Sequence, residues 1–249
     1  MTAWEREADR WIAWIDTPGD VFGAYFAHFL EEIMPPPGRR TLEIGCGEGR
    51  VMRALAATGH AVVGVEAAPA LARTARSRDP SAALLLADAT VLPFRGSSIE
   101  TVIVYNVLQT MAAQSDMVAA VREAARVLQP GGHLCVCVAH PMTDAGRVCL
   151  APESNDIRLA GSYFERRRVE DTVTHGGRTM TFTGWTYTLD DYARAIESAG
   201  LLIDRLREPV PAQGDSAADL WQRVPLFLFI RARKPPPGTH DESGGAWRT

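Results

Sequence analysis

The chain has 249 residues, 46% hydrophobic and 22% charged, with 26 Lys plus Arg against 30 Asp plus Glu and a net charge of −4. That balance excludes a wholly disordered chain and supplies enough apolar residues for a sizeable core. It gives no whole-chain attraction to nucleic acid or anionic membrane, and the longest apolar run, Val224 to Ile230, is too short to cross a bilayer.

The segment Met1-Thr2-Ala3-Trp4-Glu5 has no apolar secretory core, so a cytoplasmic protein is expected. The cysteines, Cys46, Cys135, Cys137 and Cys149, lack zinc-site spacing, so no metal is expected and buried thiols in a reducing compartment are. The run Arg166-Arg167-Arg168 is flanked by Glu165 and Glu170 and reads as a solvated face.

In chain order, residues 1–34 form an aromatic-rich helical arm ending at Pro35-Pro36-Pro37. Trp4, Trp11 and Trp14 share one helix face, and Phe22, Tyr25, Phe26 and Phe29 recur at i, i+3, i+4, i+7. The arm is either two helices packed on a core or a lid over a ligand. Residues 35–234 then alternate strand and helix. Strands are predicted at Thr41–Ile44, Ala61–Val65, Ala83–Ala87, Glu100–Tyr105 and His133–Ala139. Helices are predicted at Gly49–Thr58, Pro69–Arg78 and Ser115–Leu128, the last stopped by Pro130-Gly131-Gly132. This rhythm predicts an α/β fold with a parallel sheet and helices on both faces.

An insertion, residues 141–188, interrupts the rhythm. Tyr163–Thr174 and Thr179–Tyr187 read as a hairpin turning at His175-Gly176-Gly177-Arg178. Thr188 with Asp191 starts a capped helix ending at Gly200. Leu201–Leu206 and Leu226–Arg231 close the sheet, Trp221 lies in a loop, and residues 235–249 read as a disordered tail.

The chemistry centres on Leu42-Glu43-Ile44-Gly45-Cys46-Gly47-Glu48-Gly49-Arg50. A Gly-rich turn between strand and helix brings backbone N–H groups close to a ligand. Its spacing is not that of a dinucleotide turn, and no Gly-Lys-Ser/Thr makes it a P-loop. Glu66 follows the second strand, where a carboxylate can accept from both ribose hydroxyls. Asp88 follows the third and could accept from an exocyclic amine, with the Ala89 N–H beside a ring nitrogen. A lone carboxylate at a strand end can equally be a helix N-cap, as Asp88 taken by itself would be. Three such features after consecutive strands point to a ligand at the carboxyl ends of a parallel sheet.

This set resembles the class I S-adenosylmethionine-dependent methyltransferases of the small-molecule type. The resemblance rests on Glu43-x-Gly45-x-Gly47-x-Gly49, Glu66, Leu86-Ala87-Asp88-Ala89 before Leu92-Pro93-Phe94, and Leu128-Gln129-Pro130-Gly131-Gly132. It implies a Rossmann-like, seven-stranded, mostly parallel sheet with an antiparallel last strand, plus the N-terminal arm and a β-hairpin insertion after the fifth strand. It also implies S-adenosylmethionine as cofactor. The turn Gly45, Cys46, Gly47, Gly49, with Glu43, would hold the methionine part. Glu66 and Ala67 would bind the ribose, Asp88 and Ala89 the adenine. Asn106, Val107 and Gln109 would pass near the sulfonium. Insertion and arm would shape an acceptor pocket from Trp14, Tyr25, Tyr163, Trp185 and Tyr187.

His140 closes the fifth strand where the acceptor should lie and is the candidate general base, the alternative being a histidine hydrogen-bonded in its loop. Tyr105 is the second catalytic candidate and could orient substrate. The expected reaction is methyl transfer to an O or N atom of a small aromatic or apolar molecule. C-methylation and a cofactor-binding protein without transfer are the alternatives. Expected partners are that acceptor, no nucleic acid and no membrane, with a homodimer through the hairpin left open.

Overall fold

A computed structural model of the chain describes residues 3–17, 22–38, 40–111, 113–143, 148–150, 156–211 and 218–237. Helices α1 (Ala3–Ile15) and α2 (Phe22–Glu32) lead into β1 (Thr41–Ile44), α3 (Arg50–Ala57), β2 (Val62–Glu66), α4 (Pro69–Arg78), β3 (Ala83–Leu86) and β4 (Ile99–Tyr105). After a 3-10 turn, Leu108–Thr110, come α5 (Gln114–Val127) and β5 (Leu128–Ala139). The insertion contributes β6 (Val148–Leu150), β7 (Ile157–Leu159), β8 (Arg168–His175) and β9 (Arg178–Trp185). The chain then runs through α6 (Leu189–Ser198), β10 (Leu202–Arg207), α7 (Ala218–Trp221) and β11 (Phe227–Arg233).

Seven strands form one sheet in the order β10-β11-β5-β4-β1-β2-β3. The pairs β4/β5, β1/β4, β1/β2 and β2/β3 are parallel, while β11 runs antiparallel to both its neighbours. The expected sheet is thus the observed one. Its central strands are apolar on both faces, as burial between two helical layers demands. On β4, Val102 and Val104 join the cluster with α5 and α6, whereas Ile103 and Tyr105 face α2 and α3.

The aromatic repeat of the arm is explained by that second layer. Tyr25 and Phe29 of α2, and Ile33 just past its end, are at most 1% exposed. Phe29 meets Tyr105 and Phe229 edge-on, with centroids 5.1 and 5.2 Å away. So α2 is part of the core. Helix α1 instead lies along α4, with Ala8 against Ala68 and Leu71.

Several boundaries differ from expectation. Pro130-Gly131-Gly132 does stop α5, but β5 already begins at Leu128. Gly131 N–H donates to the Lys234 carbonyl, and Lys234 N–H to that of Gly132. This partner lies far along the chain, so local sequence does not reveal it. Lys234 also donates through Nζ to the Ala125 and Leu128 carbonyls at 2.7 Å, satisfying orphan acceptors at the end of α5. The hairpin turns on Gly176-Gly177, both with positive φ, 54° and 75°, as a two-residue loop between antiparallel strands requires. It is shorter than expected: Tyr163 to Arg167 is not strand, and Thr186 Oγ1 accepts from the Arg167 N–H instead. The pair β6/β7 was not expected, and Trp221 ends a short helix rather than sitting in a loop. The capping box at Thr188 and Asp191 is present. Cys46, Cys135 and Cys137 are buried. Among the described residues no helix is long and apolar enough to cross a membrane. Of the expected tail, residues 238–249 lie outside the described residues.

Because Phe29 anchors α2 to the sheet, Phe29→Ala is expected to cost about 3–5 kcal/mol, read as a lower urea midpoint. Removing residues 1–33 is accordingly expected to unfold the domain, which loss of cooperative melting would show.

Candidate active site

The strand order sets the carboxyl ends of β4, β1, β2 and β3 side by side. Residues 106–109, 45–49, 66–67 and 88–89 follow those ends and so share one edge of the sheet.

Next to β1, Gly45, Gly47 and Gly49 have φ of 69°, 56° and 83°, the left-handed region that favours glycine. Gly45 also has no room for a side chain, because an added Cβ would lie 2.5 Å from Val107 Cγ2. Above Gly47 the nearest atom to such a Cβ is Trp11 Nε1 at 3.9 Å. The turn is tied to β2: Gly45 N–H and Cys46 N–H both donate to the Val65 carbonyl.

Three carboxylates converge here, all buried: Glu43, Glu48 and Glu66 are 2%, 1% and 6% exposed. Glu48 is neutralised by Arg53 at 2.7 Å and Arg78 at 2.8 Å. Glu66 accepts from Gly47 N–H through Oε2 and Ala68 N–H through Oε1, both at 2.8 Å. Burial still lifts the Glu66 pKa, against the lowering effect of those N–H donors. Glu43 accepts from the Met52 N–H, yet its Oε2 has no partner among the described residues. Burial first, then the charges of Glu48 and Glu66, hold the Glu43 pKa well above the usual carboxylate range. Burial likewise pushes the Cys46 thiol up, so it is not a nucleophile here.

After β4, Asn106 takes the left-handed conformation, φ 58°, uncommon outside glycine and best tolerated by Asn. Its N–H donates to the Cys137 carbonyl, and its Oδ1 accepts from Gln109 Nε2 at 3.4 Å. Gln109 Oε1 is buried without a partner among the described residues. β9 crosses directly over this segment, where a Cβ on Gly184 would lie 2.6 Å from the Gln109 carbonyl oxygen. At the end of β3, Asp88 Oδ1 accepts from Thr90 N–H and Oγ1 at 2.8 and 2.7 Å. Asp88 and Ala67 are exposed and Ala89 half-buried, so this end of the edge is open.

The catalytic candidates sit differently from expectation. Tyr105 is packed among Phe22, Phe26 and Phe29, with its hydroxyl against the Cys137 thiol, on the core side of β4. His140 Nδ1 accepts from the Met142 N–H at 3.2 Å, and Nε2 lies 2.8 Å from Glu208 Oε1. A backbone N–H can only donate, so the proton sits on Nε2 and the ring lone pair is already used. Burial lowers the His140 pKa, opposed by Glu208. The hydrogen-bonded loop histidine is the geometry found.

The five aromatics expected around one acceptor pocket are dispersed. Tyr25 is core, against Phe227. Tyr187 is 2% exposed beside Tyr192, and Tyr163 Oη accepts from the Leu189 N–H. Trp185 packs partly on the α5/α6 cluster. Trp14 alone stands on the roof, edge-on to Phe182 at 5.7 Å. Sequence reasoning missed Trp11, Phe182 and Gly184 as parts of that roof. The Trp4–Trp11 spacing was the available signal.

A glycine turn wired to a carboxylate on the next strand, at the carboxyl edge of a 3-2-1-4-5 parallel order, defines a class I S-adenosylmethionine-dependent methyltransferase domain. The chain belongs to that family. A family model described as "Methyltransferase domain" matches residues 42–136. Among curated relatives, the demethylmenaquinone methyltransferase of Tropheryma whipplei is 34% identical over 170 residues, 66% of each chain. An uncharacterized 37.1 kDa protein in transposon TN4556 of Streptomyces fradiae is 29% identical over 165 residues, and this chain spans 44% of its length. A solved S-adenosylmethionine-dependent methyltransferase from Mesorhizobium loti superposes with TM-score 0.69 at 18% identity, covering 84% of this chain and 97% of that one.

One expectation is corrected by these likenesses. The exclusion of nucleic acid as partner does not stand. The probable tRNA methyltransferase 9B of Homo sapiens is 33% identical over 110 residues, 44% of this chain and 23% of that protein. A putative methyltransferase solved in complex with the Haloferax volcanii Trm112 activator superposes with TM-score 0.64 at 19% identity, over 95% of this chain and 98% of that one. Net charge misses such partners because recognition uses local surface rather than the whole-chain balance.

The residues fit the family's cofactor. Gly47 leaves a cradle that a side chain would fill, and Glu43 Oε2 is buried with no partner among the described residues. A group with a protonated amine suits that acceptor.

Glu43 sets a pH signature. Its carboxyl stays neutral in the folded chain above the pH at which the unfolded chain ionises it, so its contribution to stability is lost as pH rises through the folded value. The unliganded protein is therefore expected to lose urea resistance as pH rises above about 5. Glu43→Gln is expected to flatten that slope.

Proposed function

We propose that the protein transfers a methyl group from S-adenosylmethionine to a small apolar or aromatic acceptor, at O, N or C. The carrying observation is the hydrogen bond from Gly47 N–H to Glu66, which fixes the glycine turn against the ribose-side carboxylate. When bound, the cofactor would supply an electrophilic methyl carbon on a sulfonium, with a neutral thioether as the leaving group for an acceptor held in line.

The chain's own contribution is binding, orientation and exclusion of water. Residues 45–49 and Glu43 hold the amino-acid end. Glu66 and Ala67 face the ribose, and Asp88 with Ala89 the adenine. Asn106, Val107 and Gln109 line the reacting end. The roof of Trp11, Trp14 and Phe182 supports an apolar acceptor and keeps water out. Its aromatic faces also suit a cation. His140 serves in this reading to close residues 140–143 against Glu208, and an acceptor that needs deprotonation would lose its proton to another group.

The relative named for demethylmenaquinone supports the small-molecule reading. The relative named for tRNA makes RNA the second acceptor class. Labelled methyl transfer, run against a panel of small hydroxy, amino and quinone compounds and against total tRNA, separates the two. Transfer to tRNA alone would replace the proposed acceptor.

Glu66→Ala is expected to weaken S-adenosylhomocysteine binding at least about tenfold, since a buried carboxylate that accepts ligand hydrogen bonds is worth more than one neutral bond. Calorimetric titration reads it, and unchanged affinity removes Glu66 from the site. His140→Gln is expected to leave turnover within about threefold, while a hundredfold fall would restore the general-base role.

A further inference from the structure

Helix α1 is fastened along α4 at both ends. Near its start, Glu5 Oε2 accepts from the Ala70 N–H at 3.0 Å, in the first turn of α4 where the helix dipole favours a carboxylate. Past its end, Asp16 accepts from Arg78 Nη2 through both oxygens, at 2.8 Å each. Arg78 is in the last turn of α4 and reaches Glu48 in the glycine turn through its other nitrogen. One arginine thus joins the arm to the turn.

Between these clasps, α1 carries Trp11 over Gly47. The indole is held edge-on by Trp4 at 5.7 Å and Phe182 at 6.2 Å, so its orientation is set from both sides. What it presents to the turn is its N–H, a group that only donates. Below it on β1, Glu43 presents the opposite need once ionised, a buried Oε2 without a partner among the described residues. A donor above and an acceptor below match the carboxylate and the ammonium of an amino acid.

We propose that Trp11 belongs to the cofactor site, its indole N–H binding the carboxylate of the cofactor's amino-acid end, and that the Glu5 and Asp16 clasps hold it there. This rests on the methyltransferase reading above. Trp11 is a binding residue in this scheme, and Asp16 and Arg78 are positioning residues acting through it.

Two probes differing at that end test it. S-adenosylhomocysteine carries the amino acid, and 5′-methylthioadenosine lacks it. Calorimetry on the full chain should show Trp11→Phe lowering affinity for S-adenosylhomocysteine about fivefold to tenfold, the loss of one charge-assisted hydrogen bond. Affinity for 5′-methylthioadenosine should stay within about twofold of the unsubstituted protein. Stopped-flow measurement on Asp16→Asn should show S-adenosylhomocysteine leaving about two to five times faster, the scale of a half-exposed ion pair, with unchanged melting. Equal losses for both probes, or none for either, would overturn the role of Trp11. An unchanged dissociation rate would overturn the clasp. Failure of the unsubstituted protein to bind S-adenosylhomocysteine would sink the methyltransferase reading itself, and this inference with it.

Discussion

Three carboxylates buried around one glycine turn are the constraint from which much of the site follows. Like charges in a medium of low polarity cannot all stay ionised and unpaired. Each is relieved differently. Glu48 takes two arginines, Glu66 takes backbone N–H groups, and Glu43 has its pKa held high and one oxygen unpartnered among the described residues. The first solution draws Arg78 from α4 into the turn and through it the end of α1. The second locks β2 to the turn. The third leaves a polar atom suited to a cationic ligand.

The same edge collects irregular backbone. Asn106 with positive φ, Val107 pressed on Gly45, and Gly184 over the Gln109 carbonyl are close approaches that a fold without a ligand site would not need. Such departures cluster where geometry must serve binding rather than packing. The arm divides its labour accordingly. Helix α2 completes the layer on one sheet face, while α1 roofs the turn.

The central fold was legible because its signals are local. Apolar runs such as Ala61–Val65, glycine punctuation and Pro69 at a helix start each act over a few residues. The glycine turn, Glu66 and the capping box at Thr188 were legible for the same reason. The start of β5 was not, since Leu128 pairs with Ile99 and Gly131 bonds Lys234, both distant in the sequence. Nor was the division of the aromatics: Tyr25, Tyr187 and Trp14 are alike in composition but lie in a core, another core and a roof. His140 shows the limit most plainly. Its position at a strand end was readable, but the N–H of Met142 on its lone pair depends on how residues 140–143 turn.

Lys234 has a consequence outside the site. It is the single lysine in the sequence, and its ammonium is committed to the carbonyls that end α5. Acylation would remove its charge and leave one N–H where the ammonium offers three, so only one of the two carbonyls could keep its donor. Lysine-directed conjugation therefore has one side-chain target, and reacting it means giving up hydrogen bonds that hold the joint between α5 and β5. The extent of modification at that one side chain should therefore track how firmly the joint is closed.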